Sequence, residues 1–172
     1  DTQAFALSRQ GTNPRVVGFA TEPSHALRGF LGGQGGPLQP IVPLAPDTQS
    51  IAYGIDGQDR AVGVMYQLGE IGTHAFRFDG TTLTPLGDFT PRGANGAGDV
   101  AGYTMVMETQ GFATELVFDH ACVYRSGVLT DLGTLGAAHW SRAYAINDAG
   151  HLAGCSGAAD DSGSHAVVWM NG

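Results

Sequence analysis

Four of the six histidines in this 172-residue chain begin the same tripeptide: His25-Ala26-Leu27, His74-Ala75-Phe76, His120-Ala121-Cys122 and His165-Ala166-Val167. Imidazoles recurring in register are a natural set of metal ligands if the fold gathers them around one point. Their spacing argues against that. Gaps of 49, 46 and 45 residues mark a repeated supersecondary unit, and each copy then opens a strand well away from the common axis. A histidine at such a place is expected to hydrogen-bond a neighbouring loop and fix a turn. No metal and no cofactor is expected.

A second group lies at the joints between units. His139-Trp140, Asp47 with Gln49, and Asp88 with Phe89 precede successive copies. Carboxylates, an amide, two aromatic rings and a histidine over an apolar floor make a rim for a small ligand. Trp140 and Phe89 serve equally well as caps on the core, and the sequence leaves both roles open. If the rim is catalytic, His139 is the candidate general base, beside Asp47 or Asp88. Arg92 occupies the position held by Phe5, Tyr53 and Tyr144 in the other copies. A cation there meets an anionic ligand or pairs locally with Asp88, and the local pair is the expectation.

Other motifs are missing. Gly154-Cys155-Ser156-Gly157-Ala158 does not form a nucleophile elbow, and Gly32 to Gly36 has no helix behind it to hold phosphate. There is no His-Glu-x-x-His and no Cys-x-x-Cys. Asp160-Asp161-Ser162-Gly163 reads as a solvated acidic loop, since calcium needs six or more oxygens.

The elements that position these residues are short strands. The cleanest copy runs from Ala143-Tyr144-Ala145-Ile146-Asn147-Asp148 through Leu152-Ala153-Gly154 to His165-Ala166-Val167-Val168-Trp169. After the first three histidine strands comes a further apolar segment, as in Leu83-Thr84-Pro85-Leu86-Gly87 and Leu129-Thr130-Asp131-Leu132-Gly133. The unit is therefore four strands, A to D. Asp56-Gly57 and Asn95-Gly96 are expected to turn the A–B hairpins through positive φ at both central residues. Asp79-Gly80, Ser126-Gly127 and Asn171-Gly172 suit the C–D turns. No helical periodicity is sustained. Units of this size bury both faces by radial stacking, so the expected fold is an all-β, β-propeller-like array of about four four-stranded blades. The blades fall at about 1–46, 47–87, 88–135 and 136–172 of a single domain. The last is expected to lack strand D. Its edge is expected to be covered, by packing of Ala143–Ile146 on Ala4–Leu7 or by another chain.

The pattern resembles the HAF-repeat family of bacterial extracellular proteins. Asp131-Leu132-Gly133-Thr134-Leu135-Gly136, Ile146-Asn147-Asp148-Ala149-Gly150 and Ala153-Gly154-Cys155-Ser156 match its unit closely, while the other copies are degenerate. The resemblance implies a secreted propeller-like domain and no defined chemistry.

Composition sets the remaining bounds. Charged residues are 14% and hydrophobic residues 42% of the chain, which fits a compact β domain. The net charge is −8, and all eight basic residues are arginine. Scattered acidic charge disfavours nucleic acid and anionic membranes, and no apolar run is long enough for a membrane span. Cys122 and Cys155 fall in neighbouring blades, where a disulfide is possible, but free buried thiols are expected. The long loop from Thr104 to Asp119 carries Met105, Met107, Phe112, Leu116 and Phe118, and must fold down as extra strand or dock on a partner.

The expected function is a secreted, extracellular or periplasmic, non-enzymatic binding module. Its ligand, a small molecule or a protein or glycan partner, sits at the axial mouth formed by the D–A loops. Alternatives are a propeller-type lyase or hydrolase at the same mouth, or a structural unit of a filament or surface layer that self-associates through the open edge of blade 4.

Overall fold

The computed structural model describes residues 1–8, 14–33, 35–70, 72–110, 114–158 and 162–170; for 108–110 and 114–116 it describes the backbone alone. The Asp160-Asp161 pair, Phe112 and Asn171-Gly172 lie outside the described residues, as does the side chain of Leu116.

Among the described residues there are fifteen strands and no helix. Blade 1 holds β1 (Thr2–Leu7), β2 (Arg15–Thr21), β3 (Leu27–Gly33) and β4 (Gln39–Ile41). Blade 2 holds β5 (Gln49–Ile55), β6 (Ala61–Tyr66), β7 (His74–Phe78) and β8 (Leu83–Gly87). Blade 3 holds β9 (Thr90–Ala94), β10 (Val100–Gln110), β11 (Thr114–Arg125) and β12 (Val128–Asp131). Blade 4 has three strands, β13 (Ser141–Ile146), β14 (Leu152–Gly157) and β15 (Ser164–Trp169). Each blade is an antiparallel meander, and the four stand in a ring as in a β-propeller. The long apolar B–C segment of blade 3 continues strands B and C outward, pairing Thr104 with His120 and Val106 with Phe118.

The A–B turns work differently from the expectation. Positive φ falls on Asp59, Gly98 and Gly150, the fourth residue of each loop, and not on Gly57 or Gly96. The turn is instead tied by the first side chain. Oδ1 of Asp56, Asn95 and Asn147 accepts the backbone N–H of Arg60, Asp99 and His151, at 3.1, 2.9 and 3.0 Å. Gly57 is needed for space, while a Cβ at Gly96 crowds only the movable end of the Asp148 side chain. A Cβ on Gly57 would stand 2.5 Å from the Gly96 Cα, and one on Gly96 would stand 2.9 Å from Asp148 Oδ1. The turns thus interlock from blade to blade, and Gly96 N donates to Asp148 Oδ1 at 2.7 Å.

One irregularity is repeated in every blade. Strand A carries a β-bulge, and the extra residue is Phe5, Tyr53, Arg92 or Tyr144. A bulge re-aims its side chain, and here all four are turned to the axis. Opposite each bulge lies a strand-B glycine: Gly18, Gly63, Gly102 or Gly154. A Cβ at any of them would lie 1.9 to 2.1 Å from a strand-A carbonyl oxygen, so no other residue fits.

Apolar cores form between blades. Val17, Leu31 and Ile41 of blade 1 pack on Ala52, Ile55 and Phe76 of blade 2. Val62, Ala75 and Leu86 pack on Phe89, Val100 and Cys122. Ala101, Ala121 and Val123 pack on Ala143, Ile146 and Leu152. At each seam, strand A of one blade lies on the face of the blade before it. The seam between blades 4 and 1 lacks this packing. Leu7 and Ile146 line a common cavity of about 110 Å³ at the turn end of the axis, but Ala4 to Leu7 are otherwise exposed or only partly covered. The expected packing of Ala143–Ile146 on Ala4–Leu7 is therefore not made. The residues of β15 are also exposed or half-buried.

Both cysteines are free thiols. Cys122 is buried in the core between blades 2 and 3, and burial pushes its thiol up to about 12. Cys155 donates to the Tyr144 hydroxyl at 3.5 Å.

Candidate functional site

The repeat histidines are not equivalent. His25 sits in a turn before β3 with φ of 66°, His120 lies inside β11 and His165 is exposed in β15. Only His74 begins its strand. His120 follows the motif, with Nδ1 3.0 Å from Oδ2 of Asp131 on the adjoining strand D. Blade 2 has Pro85 at that place, since Pro85 pairs with Phe76 as Asp131 pairs with Cys122. His74 therefore turns to the preceding D–A loop, where its Nδ1 lies 2.8 Å from Asp47 Oδ2.

This substitution builds a site. The Asp47 side chain is 5% exposed, and its Oδ1 is buried without a hydrogen-bond partner. One ring nitrogen of His74 is thus held on Asp47, and the other, Nε2, faces outward. It lies 3.8 Å from Oδ1 of the exposed Asp88. His74, itself 45% exposed, opens on a cavity of about 390 Å³ walled by Thr73, Asp88, Phe89, Tyr103, Met105 and Asp119. A second cavity of about 270 Å³, against Leu44, Pro46, Asp47 and Met65, shares His74 and Asp88 with the first. A third of about 270 Å³, against Val117, Phe118, Trp140 and Arg142, shares Asp119 with it. The three run on from one another across the D–A loops of blades 2, 3 and 4. Arg142 is held at this end by Asp119, with Nε 2.7 Å from Oδ2, and lies over the rings of Tyr103 at 5.0 Å and Trp140 at 5.8 Å.

The residues expected at the rim separate into two groups. Asp47, Asp88 and Trp140 line the groove. Phe89 forms its floor, but is buried in the core and stacked on Tyr124 at 5.9 Å. Gln49 is buried and ties blades 1 and 2: its Oε1 accepts from Leu27 N at 2.9 Å and from the Tyr66 hydroxyl at 3.4 Å. His139 stacks on Phe118 at 5.1 Å and hydrogen-bonds neither Asp47 nor Asp88. The imidazole beside those carboxylates is His74, and an Asp–His pair facing a cavity can accept a proton from a bound ligand. Arg92 makes no ion pair with Asp88. Its guanidinium stands over Tyr53 at 4.6 Å and over Tyr103 and Tyr144 at 5.9 Å.

Sequence reasoning anticipated that His74 would hydrogen-bond a neighbouring loop, as it does at Asp47, but not that it would also open on the cavity. The available signal was Pro85, which leaves blade 2 without the strand-D aspartate that blade 3 has at Asp131. Sequence reasoning overlooked Ser50 and Ser141. Each is buried, accepts a strand-C N–H of the preceding blade, from Gly29 at 3.0 Å or Ala121 at 2.8 Å, and donates to a carbonyl of the same loop region. Among the described residues, no three His, Cys, Asp or Glu side chains gather closely enough to hold a metal ion, and no helix is long and apolar enough to cross a membrane. Comparison with known protein families, with curated proteins and with solved structures finds no match.

Proposed function

We propose that this chain is a non-enzymatic binding module of a secreted protein and that its ligand lies along the groove over blades 2 to 4. The continuity of the three cavities carries this reading: loops from three blades contribute to one surface. Carboxylates at Asp88 and Asp119 and rings at Tyr103, Phe118 and Trp140 suit a hydroxyl-rich ligand such as a glycan. Carboxylates accept from hydroxyls, and rings cover the apolar faces of sugars. The resemblance to extracellular repeat proteins supports the location. Titration calorimetry against a panel of neutral oligosaccharides tests the reading. Binding should appear for at least one and fall sharply in both Trp140→Ala and Asp88→Ala. Binding that survives both changes, or no binding at all, defeats it. Turnover of a bound ligand that depends on His74 would make the same groove an active site.

A second reading rests on the fourth seam. An exposed blade face and an exposed strand β1 on one chain suit end-to-end association of copies. Sedimentation velocity over a concentration series checks this, and a constant monomer mass rules it out.

A further inference from the structure

Next to the groove, with Tyr103 between them, the four bulged residues meet on the propeller axis. Phe5 and Tyr53 meet as tilted rings, with centroids 5.4 Å apart. Arg92 lies over Tyr53 and Tyr144. The axis is thus a wall of three aromatic rings with one guanidinium. Among the described arginines, Arg92 and Arg15 differ from the other five. Arg28, Arg60, Arg77, Arg125 and Arg142 each lie within 4 Å of a carboxylate. Arg92 has no carboxylate at that distance among the described residues. Rings lie against it and it meets the Tyr53 hydroxyl, and its remaining in-plane N–H groups suit an acceptor. The phenols add donors. Burial raises Tyr53 against the pull of Arg92, and the Cys155 contact followed by burial raises Tyr144, so both stay protonated. The axis can also be reached. Phe5 is 44% and Tyr144 42% exposed, and these two flank the seam where blade 4 and blade 1 fail to pack.

The geometry points to an anion site on the axis, with Arg92 binding the carboxylate of a small organic acid whose flat body lies against the exposed rings of Phe5 and Tyr144. Access is sideways, through the fourth seam. The chemistry selects a planar, singly charged acid. One guanidinium fork matches one carboxylate, and the aromatic walls prefer an unsaturated or aromatic body to a hydrated one.

Benzoate is the probe, with benzamide as its uncharged counterpart, followed by the aromatic ring resonances of the tyrosines in the intact chain. Benzoate should shift Tyr53 and Tyr144 saturably, and benzamide should bind about tenfold more weakly or less, the loss expected when a charged hydrogen bond is removed. Arg92→Gln should abolish the benzoate shifts, and Arg92→Lys should weaken them. If Arg92→Gln does not fold, Tyr144→Ala at the exposed wall should weaken benzoate in its place. Trp140→Ala, in the groove, should leave benzoate binding unchanged, which separates this site from the proposed glycan groove. Equal binding of benzoate and benzamide, shifts centred on His74 and Asp88, or no saturable shift at all would overturn the assignment.

Discussion

The seam between blades 3 and 4 and the seam between blades 4 and 1 are built from the same residue types at the same positions, yet only one is packed. On blade 3 the cross-strand pair Ala101 and Val123 faces blade 4 and is buried. The matching pair on blade 4, Ala153 and Val168, is exposed, with Val168 at 63%. On the other side of each seam, Ile146 is buried, and its counterpart Leu7 is 66% exposed. A blade therefore carries two half-cores, and burial depends on what stands next to it. Burying a valine or leucine side chain is worth about 1.5–3 kcal/mol. The three packed seams gain this at several positions each, and the fourth gains little.

The sharpest way to break the comparison is to put a charge in both places. Val123→Asp should cost about 4 kcal/mol or more, because it leaves an unpaired carboxylate between blades, while Val168→Asp should stay within about 0.5 kcal/mol. Urea denaturation of the two variants decides the matter, and equal losses would mean that the fourth seam is packed in solution. Truncation gives a smaller version of the same contrast. Leu31→Ala should lose about 2–5 kcal/mol, and Leu7→Ala should lose almost nothing. A control inside the blade sharpens the point. Gly63→Ala and Gly154→Ala create the same clash with strand A, at 2.0 and 1.9 Å. Both should destabilise strongly, although blade 4 has one open face.

His74→Ala should cost about 1–3 kcal/mol by leaving the buried Asp47 carboxylate without its donor, and His165→Ala, at an exposed position, should cost nothing measurable. The least effect concerns the thiols. Cys122, sealed in a packed seam, should resist iodoacetamide in the native protein. Its folded pKa is raised to about 12, so its contribution to stability is complete below about 9, the ordinary thiol value, and fades as pH climbs toward 12. Cys122→Ala should flatten that alkaline loss in a pH series of urea midpoints.

The repeat was legible because it is written in period and in turn residues, and both are local. The bulge glycines could be seen as a recurring Val-Gly or Ala-Gly, but their cause could not, since the clash is with a carbonyl on a different strand. The turn dipeptides were visible and misread: Asp56 and Asn95 act through side-chain oxygens, and the positive φ moves to the fourth residue. Asp47 and Asp88 line the groove from the D–A loops in which the sequence placed them. The opening of His74 on the cavity was hidden because it depends on Pro85, whose effect appears only when strands C and D are paired. Arg92 was singled out as the odd residue of its column, and its neighbours proved to be rings instead of Asp88.

The bulge has one more consequence. Because the extra residue stands outside the ladder, a blade can change what it shows the axis without disturbing how it pairs or packs. Each duplication copies the frame and leaves one position free to vary. The chain already spells Phe, Tyr, Arg and Tyr around the ring. The chemistry shown to the axis can change by single-codon steps, one per blade, on a scaffold that does not have to be redesigned.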